Sequence, residues 1–218
     1  MEEITLKVER TARVCLLGAP GPEIREVWMV MHGYGQLAPY FIRHFEALAQ
    51  PGVLVAAPEA LSRFYLDSGI GRVGASWMTK EMRLDEIRDY LSYLSKVYAW
   101  IKSTVGHETF RLHVLGFSQG AATACRWVAE KRPPASTLTC WAGFFPPDLS
   151  WSPEWKNSGP ETHVVVGTSD QLVTPEALAK FEEVVQLLDI RPRKWEFSGG
   201  HEIDRSTLQA LANHFRNT

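Results

Sequence analysis

Cysteine is scarce in this chain: three in 218 residues, Cys15, Cys125 and Cys140. An odd number without metal-ligand spacing argues against a disulfide framework or a cysteine-built zinc site, and fits a reducing compartment. Each is read as a small buried apolar residue. An excess of one charge is also missing. Against 23 basic residues stand 25 acidic ones, a net charge of −2. That balance points away from nucleic acid and from a disordered acidic tail. No apolar run is long enough for a membrane span. The opening Met1-Glu2-Glu3-Ile4 offers neither a basic region leading into an apolar stretch nor a glycine for N-myristoylation. Repeats and low-complexity segments are absent too. The expectation is a cytoplasmic globular protein, a monomer or a homodimer, acting on a small molecule.

The residues present suit a single domain over 1–218, since 45% are hydrophobic and 22% charged. Short apolar runs alternate with amphipathic stretches. Residues 27–31, 53–57, 112–115, 137–141, 162–166 and 194–197 read as strands. Between and after them, residues 37–49, 82–104, 119–131, 175–188 and 204–216 read as helices. In the longest, Leu84, Ile87, Leu91, Leu94, Val97 and Ile101 fall at helical spacing. Strand–helix alternation predicts an α/β fold: a mostly parallel, twisted sheet with helices on both faces. Residues 4–9 and 13–17 have no helix between them and are expected to start the sheet as antiparallel strands.

Two connections are long. Residues 58–80 hold Gly69, Gly71 and Gly74 with the exposed-looking aromatics Phe64, Tyr65 and Trp77. Residues 143–160 hold Pro146, Pro147, Pro153 and Pro160 with Trp151 and Trp155. Loops of this length often bind substrate or act as lids; the alternative is two ordinary connections packed over the sheet.

Gly116-Phe117-Ser118-Gln119-Gly120 matches G-x-S-x-G. By composition alone, roughly one chain in fifteen of this length would carry such a match. The context makes it specific, because the motif follows a strand and opens a helix. A serine on so sharp a turn needs small neighbours, which Gly116 and Gly120 provide. A serine hydroxyl also needs a base, and the base an orienting acid. On this fold the chain order is serine, acid, histidine. His201, in Ser198-Gly199-Gly200-His201-Glu202, lies between the last strand and the last helix and is the expected base. His214 reads as a surface helix residue, and His32, His44, His107, His113 and His163 as structural or solvated. Asp170, just past residues 162–166, is the expected acid, with Asp148, Asp189 and Asp204 as alternatives. The oxyanion needs two N–H donors. One is Gln119 N–H. The other comes from His32-Gly33-Tyr34-Gly35 after the first core strand, with Tyr34 N–H preferred over Gly35 or Gln36.

These four stretches, His32-Gly33-Tyr34-Gly35, Gly116-Phe117-Ser118-Gln119-Gly120, Asp170-Gln171-Leu172-Val173 and Gly199-Gly200-His201-Glu202, together resemble the phospholipase/carboxylesterase family. That is a nearly lidless α/β-hydrolase group containing acyl-protein thioesterases and bacterial carboxylesterases. The similarity runs over roughly residues 25–216 in matching order. It implies ester or thioester hydrolysis without a cofactor or metal, and oxyanion donors at Tyr34 and Gln119. Trp77 and Leu172 are the expected substrate contacts. The chain departs from the family pattern at Tyr34 (often Leu), at Gln36 (often acidic), at Ser76-Trp77-Met78 in place of Trp-Phe-Asp, and at an extra Thr174 before Pro175. Bulky Tyr34 and Trp77 would flatten an acyl groove, so a short or aromatic acyl ester is expected. The alternatives are a thioesterase or lysophospholipase on the same triad, or a ligand-binding protein on a hydrolase scaffold.

Overall fold

A computed structural model describes residues 1–67, 69–107, 109–149 and 159–218. Trp151, Pro153 and Trp155 of the second long connection lie outside the described residues. A seven-stranded sheet runs in the order β1-β3-β2-β6-β7-β8-β9. Its strands are β1 (Val14–Leu17), β2 (Glu26–Met31), β3 (Val53–Pro58), β6 (Arg111–Phe117), β7 (Ala135–Trp141), β8 (Glu161–Gly167) and β9 (Arg193–Phe197). All neighbours are parallel except β1, which is antiparallel to β3.

Parallel strands covered on both faces must be apolar on both, and β2 is buried at all six positions. Val27, Met29 and Met31 point into a core shared with α2 (Arg83–Val105), α3 (Gln119–Lys131) and α4 (Pro175–Leu188). Trp28 and Val30 point the other way, into a core shared with α1 (Ala38–Phe41), the 3-10 helix Ile42–Leu48 and α5 (Arg205–Asn217). The order of the strands brings the ends of β2, β6, β7, β8 and β9 side by side at one rim, the place where open α/β sheets bind ligands.

Two expectations are corrected. Residues 4–9 do not join the sheet. Ile4, Leu6 and Val8 are 73%, 79% and 83% exposed, and residues 4–9 make no ladder with β1, the edge strand of the sheet. Residues 58–80 are not all loop. They form an antiparallel hairpin of β4 (Ser62–Tyr65) and β5 (Val73–Ser76). The adjacent aromatics Phe64 and Tyr65 and the glycine-rich turn after them are the signal for that hairpin. The hairpin also takes Trp77 out of solvent: it is 2% exposed, packed edge-on against Tyr90.

Candidate active site

Ser118 joins β6 to α3 with φ 54° and ψ −117°, a backbone region that costs a non-glycine residue energy. Its N–H donates to Trp141 O at 2.8 Å. The glycines on either side are required by contact. A Cβ at Gly116 would lie 2.1 Å from Gly120 O, and one at Gly120 would lie 2.3 Å from Met31 O. The turn leaves Ser118 half-buried above the sheet, at the positive end of α3.

Asp170 and His201 arrive from two other strand ends. The loops after β8 and β9 are tied together, with Thr168 N–H donating to Phe197 O and Ser169 N–H to Gly199 O, both at 2.9 Å. Trp141 Nε1–H donates to Glu202 O at 2.8 Å and holds the second loop against β7. His201 Nδ1 then lies 2.8 Å from Asp170 Oδ2. The carboxylate is buried, and its other oxygen accepts from Leu172 N–H at 2.9 Å. The imidazole is half-buried, and its ring centre lies 4.9 Å from that of Phe117, the neighbour of Ser118. Ser118 Oγ makes no hydrogen bond to His201 here; such contacts often tighten only with substrate bound.

The alternative acids all have other partners or places. Asp148 binds Arg126 through both oxygens and Arg83 through one. Asp204 caps α5, accepting from Thr207 N–H at 2.7 Å. Asp189 ends α4 in the left-handed region. The extra Thr174 caps the start of α4, accepting from Ala177 N–H at 3.2 Å with Pro175 behind it.

The turn at residues 33–36 separates its own donors. Gly35 N–H donates to Ala75 O, Gln36 N–H to Gly33 O and Gly33 N–H to Gln36 Oε1. Among the described residues, Tyr34 N–H has no such bond, and neither does Gln119 N–H at the first position of α3, where helical N–H groups have no partner in their own helix. His32 is a structural brace. Ala60 N–H donates to its Nε2 at 3.0 Å, so the proton sits on Nδ1 and donates to Gly33 O at 2.8 Å. Burial pushes its pKa down, and it stays neutral.

The expected substrate contacts fare differently. Leu172 is 65% exposed beside the acid. Trp77, expected as an exposed pocket wall, is corrected to a buried strut: its indole N–H donates to His32 O at 2.8 Å. The exposed aromatic surface near the turn is Tyr34, against Phe64 at 5.1 Å. Behind the turn, a cavity of 580 Å³ lies between Leu37, Tyr40 and Phe41 on one side and Leu66 and Val73 on the other. Ser118, Asp170 and His201 do not line it. Glu161, His163 and His214 lie close enough to hold a cation. The two histidines have other partners: Trp195 donates to His163 Nδ1, leaving the proton on Nε2, and Arg193 meets His214 Nε2 at 3.1 Å.

Comparison with known proteins agrees with this architecture. The phospholipase/carboxylesterase family model matches residues 19–218. No curated protein matches the chain in sequence. Among solved structures, acyl-protein thioesterase 2 of Zea mays superposes with a TM-score of 0.71 at 17% identity, covering 95% of this chain and 99% of that one. Esterase PE8 gives 0.69 at 20% identity, covering 95% and 99%. A carboxylesterase of Mesorhizobium loti gives 0.69 at 17% identity, covering 92% and 94%. With an α/β-hydrolase sheet, a strained serine at a strand–helix turn and a family match across most of its length, the chain belongs to the phospholipase/carboxylesterase family of ester hydrolases.

Proposed function

We propose that the protein is a serine carboxylesterase working through an acyl-enzyme on Ser118, His201 and Asp170. Ser118 Oγ attacks the ester carbonyl as His201 Nε2 takes its proton. The oxyanion is received by Tyr34 N–H and Gln119 N–H. Asp170 keeps the Nδ1 proton in place and stabilises the imidazolium. His201 then protonates the departing alcohol, and a water repeats the sequence to release the acid. The observation that carries this reading is the 2.8 Å pair of a buried Asp170 and a half-buried His201, on loops tied to one another beside the serine turn.

Short or aromatic acyl esters are the proposed substrates. The exposed Tyr34 ring, backed by the half-buried Phe64 beside the oxyanion turn, supports this, as a flat apolar surface for a ring. Thioesters and lysophospholipids are the alternatives on the same triad. The buried free thiols of Cys125 and Cys140 support a reducing, cytoplasmic setting.

Fluorophosphonate labelling tests the nucleophile. Wild type should be labelled at one serine, and Ser118→Ala should be unlabelled and slower by about four orders of magnitude or more. Labelling that survives Ser118→Ala, or an unreactive wild type, refutes the assignment. A p-nitrophenyl ester series should then show kcat/KM falling as the acyl chain lengthens and holding for benzoyl esters.

A further inference from the structure

The two proposed oxyanion donors stand on different elements, both beyond the end of the ladder that joins β2 to β6. The β2–β6 ladder ends at Met31 opposite Gly116. Beyond that point one chain turns through residues 33–36 and the other enters α3. The segment 75–78, outside the main sheet, bridges the gap. Toward the turn, Gly35 N–H donates to Ala75 O at 2.9 Å and Ala75 N–H to Gln36 O at 3.1 Å. Trp77 Nε1–H adds its 2.8 Å bond to His32 O. Toward the nucleophile, Trp77 N–H donates to Gln119 Oε1 at 3.0 Å, while Gln119 Nε2 donates to Met78 O at 2.8 Å and to Ser76 Oγ at 3.2 Å.

The fit has no slack. A Cβ on Gly74 would lie 2.5 Å from Gly35 O, so β5 rests directly on the turn. Trp77 is 2% exposed and wedged between the His32 ring at 5.2 Å and Tyr90 at 6.2 Å. Its backbone N–H reaches one donor-bearing element and its indole N–H the other. An amide side chain satisfied at both ends by one distant segment fixes the orientation of the residue that bears it. Donors accelerate acyl transfer only when aimed beforehand at the developing charge, and a displacement of about 1 Å can cost on the order of a hundredfold.

We infer that Trp77 and the Gln119 side chain are positioning residues that set the separation and aim of the Tyr34 and Gln119 N–H groups. This rests on the oxyanion assignment proposed above. It gives the buried tryptophan a catalytic consequence without contact with substrate.

The test uses the full chain with two substitutions. Trp77→Phe removes the indole N–H and keeps an aromatic ring in the core. Gln119→Met keeps side-chain length and removes the bonds to Ser76, Trp77 and Met78. Rates are normalised to active sites titrated by acyl burst. The expected result is a loss of about tenfold in kcat for each variant with KM changed by less than about twofold. Affinity for an arylboronic acid should fall in parallel with kcat/KM. The acid limb of the pH profile should stay in place, because the Asp170–His201 pair is untouched. A merely structural role would lower the thermal midpoint and the titratable fraction while leaving kcat per titrated site at the wild-type value, and that result overturns the inference. If the wild type hydrolyses esters and labels at Ser118 while both variants keep their kcat, the positioning role fails alone. A wild type that neither labels nor turns over removes the esterase reading with it.

Discussion

The same sheet carries histidine and carboxylate side chains at both of its rims, and the two clusters behave differently. At the carboxyl ends of the parallel strands, His201 meets Asp170 at 2.8 Å on loops, with the imidazole half-buried. At the amino ends, His113 lies 4.0 Å from Glu26 and His163 lies 3.4 Å from Glu161, both histidines on strands and both buried. There Phe215 of α5 stacks on His113 at 5.0 Å and meets His163 at 4.8 Å, and Glu26 is held by Trp28 and Arg216. Burial pushes the His113 pKa down to about 4, with the Glu26 carboxylate opposing it, and pushes His163 down in the same way. A histidine beside a carboxylate is therefore not enough for a base. The proposed catalytic pair has a loop that presents the ring to solvent and an acid in direct contact; the two buried pairs are core held by aromatic packing.

The largest effect that could break this contrast is chemical. Asp170→Asn keeps the shape of the acid but lets the imidazole settle in the wrong tautomer. It should lower kcat by about 10⁴ with little change in KM. His113→Phe, at the other rim, should leave kcat per active site within about twofold. Steady-state kinetics on the two variants, read side by side, decides whether the rims differ as described.

A middle-sized effect separates them by pH. The folded-state pKa of His113 lies below its unfolded value of about 6.5. The neutral buried ring therefore contributes fully above pH 6.5, and that contribution is lost as pH falls toward about 4, because the unfolded chain takes up its proton first. Between pH 7 and pH 5 the loss from this one group is about 2 kcal/mol. Urea unfolding at both pH values should show a shallower decline in His113→Phe than in wild type. Equal declines would mean that His113 does not sense acid from its buried site.

The smallest effect concerns the helix cap that follows the Asp170 loop. Thr174→Ala removes the cap on α4 and should cost about 1 kcal/mol in urea unfolding, leaving ester turnover per active site unchanged. A fall in turnover instead would tie the start of α4 to the Asp170 loop.

Much of the candidate site was legible in the sequence because its signals are local. Gly116 and Gly120 flank Ser118 within five residues, Asp170 follows a short apolar run, and His201 follows the alternating Lys194-Trp195-Glu196-Phe197. Periodicity placed the parallel strands and the helices. It misread residues 4–9, whose apolar alternation leads to no pairing with the edge strand β1, and it passed over the β4–β5 hairpin, whose strands are only four residues each. Trp77 was read as exposed because a loop-like, glycine-rich stretch surrounds it. Its burial comes from contacts 42 to 45 residues distant in sequence, with Gln119 and His32.

By itself, then, the sequence determined the strand–helix order, the serine on its turn and the order of the triad candidates, since each depends on neighbours in the chain. Tertiary structure alone decided which aspartate meets His201, which N–H groups of the 33–36 turn are left without a backbone partner, and that Trp77 is a strut between Gln119 and His32. Those outcomes depend on hydrogen bonds between segments far apart in the chain, and only the packing of the sheet, its helices and the hairpin brings their donors and acceptors within reach.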